Sequence, residues 1–302
     1  IIPLAKLVVP SSFADEELIF SEGDAGRDLK IIREGVVRVT RTTPVGTQVL
    51  TNLERGALVG EISYLDDLGR SATAHGVGTG SIFTIPSEAL DAAVEADREL
   101  AVSLLWGFWQ TLATKVRAAN TQMSELFGAP SAPLTQDRSN EDVGQRVQLS
   151  EEDKLDILRE QGLSAQELRL LAKYSREMSY GTNELIFAEG DPGDCLYIVV
   201  EGSVRISRIV PGMGEECLSI LSRGEVFGEL ALIDEQPRSA DARSHSATCT
   251  VFSIGRSLLE EVLSMDPDAA VQFLDLLCRL LCRRLRAMNE RLVAWRIMAS
   301  HE

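Results

Sequence analysis

Two stretches of this chain carry the same reactive side chains at the same spacing. Val59-Gly60-Glu61-Ile62-Ser63 leads to Gly69-Arg70-Ser71-Ala72, and Phe227-Gly228-Glu229-Leu230-Ala231 leads to Pro237-Arg238-Ser239-Ala240, with nine positions from Glu to Arg in each. Arg70 and Arg238 offer permanently charged, bidentate donors matched to phosphate oxygens, a geometry Lys does not copy. Ser71 and Ser239 add a neutral donor beside them. Gly60 and Gly228 let backbone approach a ligand, and a short helical turn opening at Glu61 or Glu229 would aim N–H groups at negative charge. Glu61 and Glu229, as acceptors, suit a sugar hydroxyl rather than the phosphate itself. The set is suited to one small phosphorylated ligand per copy, held without metal.

The elements that position these residues are themselves repeated. Glu17–Val39 and Glu184–Ile206 are identical at 14 of 23 aligned positions, so the chain reads as two copies of one unit. Within each copy, short β-rich runs are punctuated by Gly, Asp and Pro: Leu29–Arg33, Val36–Thr40, Gln48–Leu53 and Ser81–Ile85 in the first. Many short strands with turn signals predict a barrel or jelly roll rather than a parallel sheet with crossover helices. Glu34-Gly35 and Glu201-Gly202 read as hairpin turns. A long helix follows each β block. Val102, Leu105, Trp109, Leu112, Val116, Ala119, Met123 and Leu126 alternate steps of three and four, as do Val271, Leu274, Cys278, Leu281, Leu285, Met288, Leu292 and Trp295. That alternation fits a coiled-coil seam, pairing the helices within the chain as a pseudo-dimer or between chains as a homodimer; it also fits a stripe packed on its own barrel. The polar Gly128–Gln145 segment, rich in Pro, Ser and Gly, reads as a linker, and Ser164 with Glu167 as a helix-opening capping box. The fold class is therefore α+β: two β-jelly-roll domains, each followed by a long C-terminal helix, at 1–127 and 149–302 with a linker at 128–148.

Composition bounds the partners. A formal charge of −16 over 302 residues argues against nucleic acid and anionic membrane surfaces. No apolar run is long enough to span a bilayer, and five cysteines confined to the second copy make a poor disulfide framework, which fits a reducing cytoplasm. Cys278 and Cys282 lie four apart, yet no nearby His or Cys completes a metal site. His75, His245 and His301 have no partner spacing for acid–base work, so the chain is not expected to be an enzyme. Arg279, Arg283, Arg284 and Arg286 form a basic stretch, read as a solvated or ion-pairing face. The chain opens on Ile1, which fits a part of a longer protein.

The second copy carries the string Phe187, Gly190, Asp191, Gly193, Tyr197, Ile198, Val199, Gly202, then Phe227-Gly228-Glu229-Leu230-Ala231-Leu232 and Pro237-Arg238-Ser239-Ala240. This resembles the cyclic nucleotide-binding domain, the family of the bacterial catabolite activator and the regulatory subunits of cAMP-dependent protein kinase, and the resemblance runs through both copies. It implies cAMP or cGMP as ligand, with Glu61 and Glu229 on the ribose 2′-hydroxyl and Arg70 and Arg238 on the cyclic phosphate. The implied binding set is Gly60, Glu61, Ile62, Ser63, Arg70, Ser71 and Ala72 in the first copy, and Gly228, Glu229, Leu230, Ala231, Arg238, Ser239 and Ala240 in the second. The first copy departs from the pattern: Lys30 stands for Tyr197, Val59 for Phe227, Ser63-Tyr64 for Ala231-Leu232 and Gly69 for Pro237, so Tyr64 and Val59 would reshape or fill its pocket.

Ser71 and Ser239 do not choose between adenine and guanine. Trp106, Trp109 and Trp295 are candidates to close over the base, or core residues of a helical stripe. The function expected is a regulatory sensor that couples nucleotide binding to helix rearrangement and so controls a protein effector, either a separate partner or one fused upstream; the alternative is a scaffold whose domains hold nothing. Transcription control would need a helix-turn-helix, which this stretch does not contain.

Overall fold

The computed structural model describes residues 2–43, 46–126, 145–146, 175–210 and 214–299. The chain divides into two compact units, one formed by Ile1–Ala119 with Cys278–Glu302 and the other by Asn120–Leu277. Both are built of antiparallel sheet of the jelly-roll type with helices at the C-terminal end, an α+β fold.

In the first unit a single turn of helix, α1 (Ile2–Ala5), precedes β1 (Val9–Phe13), β2 (Leu18–Phe20), β3 (Leu29–Thr43), β4 (Gly46–Leu53), β5 (Leu58–Val59), α2 (Glu61–Asp66) and β6 (Thr73–Ile85). The sheet runs β1-β6-β3-β4, with β2 added to β6 and β5 to β3. Phe13, Ile32, Val37, Val59, Ala74 and Ile82 form its core. Helices α3 (Ser87–Ala96) and α4 (Arg98–Leu126) follow.

The second copy carries β7 (Gln145–Arg146), β8 (Arg176–Gly181), β9 (Leu185–Phe187), β10 (Cys195–Glu201), β11 (Val204–Val210), β12 (Gly214–Leu221), β13 (Val226–Phe227), α5 (Glu229–Asp234), β14 (Asp241–Ser244) and β15 (Thr248–Gly255). One sheet is ordered β13-β10-β15-β8-β7 and the other β12-β11-β14-β9. Met178, Val199, Val204, Leu221, Phe227, Ala242, Cys249 and Val251 are buried between them. Helices α6 (Arg256–Met265) and α7 (Pro267–Ala299) end the described chain. Of the segment read as linker only 145–146 are described, and they pair with β8 at Ser179 and Met178. The helix expected at Ser164 lies outside the described residues.

The Glu-Gly pairs are not hairpin turns. Hairpin strands pair with each other, but Ile31 and Val37, on either side of Gly35, both pair with β6, at Phe83 and Gly76. Gly35 (φ 88°) instead marks a bulge at which one long strand bends. In the second copy Gly202 (φ 76°) lies between β10 and β11, which belong to different sheets. The sequence signal for positive φ was sound, and a change of sheet uses the same conformation as a hairpin.

The helical stripes are largely buried. Leu105, Trp109, Leu112, Val116, Ala119 and Met123 are inside on α4, and Leu274, Cys278, Leu281, Leu285, Met288 and Leu292 on α7. Phe108, Ala113, Leu277, Cys282 and Val293 are buried beside them, so each stripe is broader than a strict two-position seam. Within the first unit the Cys278 thiol donates to Leu105 O at 3.4 Å.

Candidate functional site

In both copies the Gly-Glu pair opens a short buried helix. Gly60 (φ 90°) and Gly228 (φ 74°) take the left-handed conformation at the N-caps of α2 and α5, where a side chain would be strained. A Cβ on Gly60 would also lie 2.2 Å from Arg70 Nη1, and one on Gly228 2.7 Å from Arg238 Nη1. Glu61, Ile62 and Ser63 are buried on α2, as are Glu229, Leu230 and Ala231 on α5. The loop after each helix returns Arg70 and Arg238 beneath the N-cap, with Ser71 and Ser239 half-buried and Ala72 and Ala240 buried next to them.

A second motif pins these arginines from below. Asp24 Oδ2 accepts from Ser21 N, and Asp191 Oδ2 from Ala188 N, both at 2.8 Å, closing a tight turn. That turn exchanges two backbone hydrogen bonds with the arginine: Gly23 N to Arg70 O and Arg70 N to Asp24 O, both 2.9 Å; Gly190 N to Arg238 O and Arg238 N to Asp191 O, at 2.9 and 2.8 Å. The Gly-Asp of the repeated string is thus a fastening for the cassette, which spacing alone did not reveal.

Arg70 and Arg238 are each 4% exposed. Arg238 donates from Nη1 to Cys195 O (2.8 Å) and Gly228 O (2.6 Å), and from Nη2 to the Cys195 sulfur (3.4 Å). Its plane lies over Phe187 (4.4 Å) and Tyr197 (5.5 Å), and Tyr197 stacks on Phe227 at 5.1 Å. Its Nε has no hydrogen-bond partner. Arg70 donates to Gly60 O (3.2 Å) and Asp28 O (2.8 Å), lies 4.5 Å over Phe20, and likewise keeps an unpartnered Nε. Burial holds Arg70 below the usual arginine range, opposed by the carboxylates of Asp28, Glu61 and Asp24.

The departures of the first copy now have shapes. With Lys30 and Val59 in place of Tyr197 and Phe227, the three-ring floor shrinks to Phe20 alone. Lys30 Nζ donates to Thr84 Oγ1 at 3.2 Å. Tyr64 packs against Phe108 on α4 (5.8 Å) and beneath the Arg27 guanidinium (5.2 Å); burial and a hydrogen bond to Asp91 raise its hydroxyl pKa. Glu61 is paired: Lys115 Nζ, from α4, lies 2.7 Å from its carboxylate and 2.8 Å from Leu58 O. Of the base-closing candidates, Trp109 is fully buried with Trp106 edge-on to it at 5.4 Å, and the Trp295 side chain lies outside the described residues.

Sequence reasoning missed three groups. Lys115 lies among apolar stripe positions, where nothing in the spacing points to a carboxylate 54 residues away. Arg286 lies 220 residues from Asp66, which it grips through Nε (2.7 Å) and Nη2 (3.1 Å) while Nη2 also reaches Gly69 O (2.8 Å). Only the basic stretch containing it was a signal. Cys195 and Asp28, aligned in the repeat, were mismatches whose place beneath the arginine is a matter of folding.

The cyclic nucleotide-binding domain family model matches residues 10–97 and 177–266, each span enclosing one complete cassette. The chain belongs to that family. The CRP-like cAMP-activated global transcriptional regulator of Mycobacterium tuberculosis is 34% identical over 132 residues, 44% of this chain and 57% of that protein. The cAMP-dependent protein kinase regulatory subunit of Mycosarcoma maydis is 34% identical over 103 residues, 34% of this chain and 19% of that one. Each match thus spans little more than half of the relative, or less. Among solved structures, the regulatory domain of Toxoplasma gondii PKA with cAMP aligns over 88% of this chain and 84% of that chain, at 21% identity and TM-score 0.33. The chain is a tandem of cyclic nucleotide-binding domains homologous to regulatory cAMP and cGMP sensors. No helix among the described residues is long and apolar enough to cross a membrane.

Proposed function

We propose that the chain is a cyclic nucleotide sensor whose second cassette binds cAMP or cGMP and whose helices transmit that binding to a protein effector. The observation that carries this reading is the state of Arg238: a permanent cation, almost wholly buried, whose hydrogen-bond partners are two backbone carbonyls and a thiol. Burying a charge among neutral partners is costly, and a phosphate would supply the countercharge. Arg238 and Ser239 would hold the cyclic phosphate, the backbone from Gly228 to Ala231 would approach it, and Glu229 would take the ribose 2′-hydroxyl. The domain limits of 1–127 and 149–302 belong to the same proposal.

The first cassette has the same parts with a different balance. Gly60, Glu61, Ile62, Ser63, Arg70, Ser71 and Ala72 would form the site, but Lys115 already occupies Glu61. A ribose hydroxyl that engages Glu61 must compete with an ammonium on α4. Binding there would therefore be weaker, and would be linked to the position of α4 as a population shift between two arrangements.

Calorimetric titration of nucleotide-free protein with cAMP, cGMP and cyclic dinucleotides tests both statements. Arg238→Ala should weaken the tighter site by about 100-fold, the scale for removing one partner of a buried hydrogen-bonded charge pair. Arg70→Ala should leave that site as it is. Heat from none of these nucleotides would leave a scaffold as the better reading; a tight site indifferent to Arg238→Ala would move the site elsewhere.

A further inference from the structure

The residue beneath each phosphate-binding arginine differs between the copies in one chemically decisive way. In the first it is Asp28, whose carbonyl accepts from Arg70 and whose carboxylate accepts from Ser87 N at 2.9 Å. That carboxylate adds a standing negative charge to the surroundings of Arg70. In the second it is Cys195, whose carbonyl accepts from Arg238 and whose sulfur lies 3.4 Å from Arg238 Nη2. Burial, and then the Cys195 thiol beside it, raise the Tyr197 hydroxyl pKa. Arg238 meanwhile aims an unpartnered Nε into this corner, close enough to Gly193 that a Cβ there would lie 2.6 Å away.

The other four cysteines make a built-in comparison. Cys249, Cys278 and Cys282 are buried; burial pushes the Cys249 thiol up to about 11, and burial with the Glu61 and Asp66 carboxylates raises Cys282 as well. Cys249 and Cys282 therefore stay protonated, and buried thiols are inert. Cys217 is exposed, but its sulfur points at a carbonyl, Ser219 O at 3.6 Å. Cys195 is partly exposed, and its sulfur accepts a hydrogen bond from the Arg238 guanidinium at 3.4 Å. A positioned cation of this kind stabilises the negative charge a sulfur carries as it attacks an electrophile.

We propose that Cys195 is a peroxide-sensitive modification site, and that its oxidation sets an anion against Arg238 and closes the second cassette to the cyclic phosphate. In this step the thiolate sulfur attacks one oxygen of hydrogen peroxide. The S–O bond forms as the O–O bond breaks, and the departing hydroxide takes a proton to become water. Sulfur gives up two electrons and peroxide is reduced. A second peroxide converts the sulfenic acid to a sulfinate, a permanent anion at the position where the first copy carries Asp28; thiols restore the sulfenic stage only. The blocking half of the proposal rests on Arg238 being the phosphate residue. The reactivity half does not.

The test uses the full reduced chain, sub-millimolar hydrogen peroxide, dimedone as sulfenate trap with peptide mass spectrometry, and calorimetry with cAMP and cGMP. Cys195 should be trapped before Cys217 despite its lower exposure, and bound nucleotide should protect it. After oxidation the tighter Kd should rise about 10- to 100-fold, the worth of one charge-assisted hydrogen bond. Cys195→Ser should show the same affinity before and after peroxide, and Cys195→Asp should bind in the weakened manner without any oxidant. Trapping of Cys217 first, or none at Cys195, overturns the assigned reactivity. An unchanged Kd in chain fully trapped at Cys195 overturns the blocking. Should the reduced chain bind neither nucleotide, the functional reading falls and the blocking with it, while the trapping order still decides the reactivity.

Discussion

Arg70 and Arg238 are equally buried but differently compensated, and the neighbouring residues decide how each copy responds to its surroundings. Arg238 rests on a three-ring floor with two carbonyls and a thiol as side-chain hydrogen-bond partners, whereas Arg70 has the Asp28 carboxylate nearby where the other copy has Cys195, and a second cation, Lys30, where the other copy has Tyr197. Burial, opposed by Asp28 and reinforced by Arg70, holds the Lys30 ammonium below its usual 10.5. The folded chain therefore releases this proton at lower pH than the unfolded chain. Between the two values the unfolded state binds more protons, so the group's contribution to stability rises with pH. Lys30→Met should be more stable than the parent at neutral pH, and that advantage should shrink as pH is raised toward 10. Urea midpoints of both proteins across this range give the answer, and a gap independent of pH would contradict it. The same substitution leaves Arg70 without a like charge nearby, so any gain in affinity at the first cassette would come from Arg70 and be lost in Lys30→Met with Arg70→Ala.

At the scale of elements, the first cassette is tied to two helices. Lys115 of α4 holds Glu61 at the start of α2, and Arg286 of α7 holds Asp66 at its end together with Gly69 O, one residue before Arg70. Arg279 adds a looser contact to Asp67 at 3.6 Å, a residue that also meets Arg27 at 2.9 Å. The Asp66–Arg286 pair is bidentate and its carboxylate only 6% exposed, so it resists screening as a surface pair would not. A double-mutant cycle of Asp66→Asn and Arg286→Gln should give a coupling energy of about 1–3 kcal/mol. Hydrogen exchange should quicken at residues 58–70 in either single variant, and a coupling near zero would mean the pair adds nothing. The strands, the doubled cassette and the buried stripes were legible in the sequence because each is a local pattern: alternation, a Gly before a short helix, a three-four step. The ties from Lys115 and Arg286 were not, because an ion pair between residues 54 or 220 positions apart leaves no periodicity. The Glu-Gly pairs fall between these cases: positive φ was readable at Gly35 and Gly202, but whether the chain then pairs back or changes sheet depends on β6 and β15, far along the chain.

For the whole molecule, the repeat in the sequence and the division of the structure do not coincide. The residues from Cys278 onward follow the second β block in the chain, yet they group with the first. Their polar contacts there are numerous: Cys278 to Leu105 O, Arg286 to Asp66, Arg279 to Asp67, Arg41 to Glu290 at 3.5 Å, and Arg296 to Val49 O. Leu281, Cys282, Leu285 and Leu292 in the same stretch are at most 4% exposed. Each buried Leu of this kind contributes about 3–5 kcal/mol against truncation, and a domain's whole stability is about 5–15 kcal/mol. Ending the chain at Leu277 should therefore bring the first unit to the margin of folding although no residue of its own β block is altered. In hydrogen exchange, amides of β3 and β6 should lose protection while those of β10 and β15 keep most of theirs. The same truncation removes Arg286, so a first cassette that survives should also bind nucleotide more weakly, by an amount that Arg286→Gln alone reproduces. Undiminished protection in β3 and β6 would show instead that the first β block with α3 and α4 is self-sufficient, and that the distal part of α7 is an attachment to it rather than part of its core.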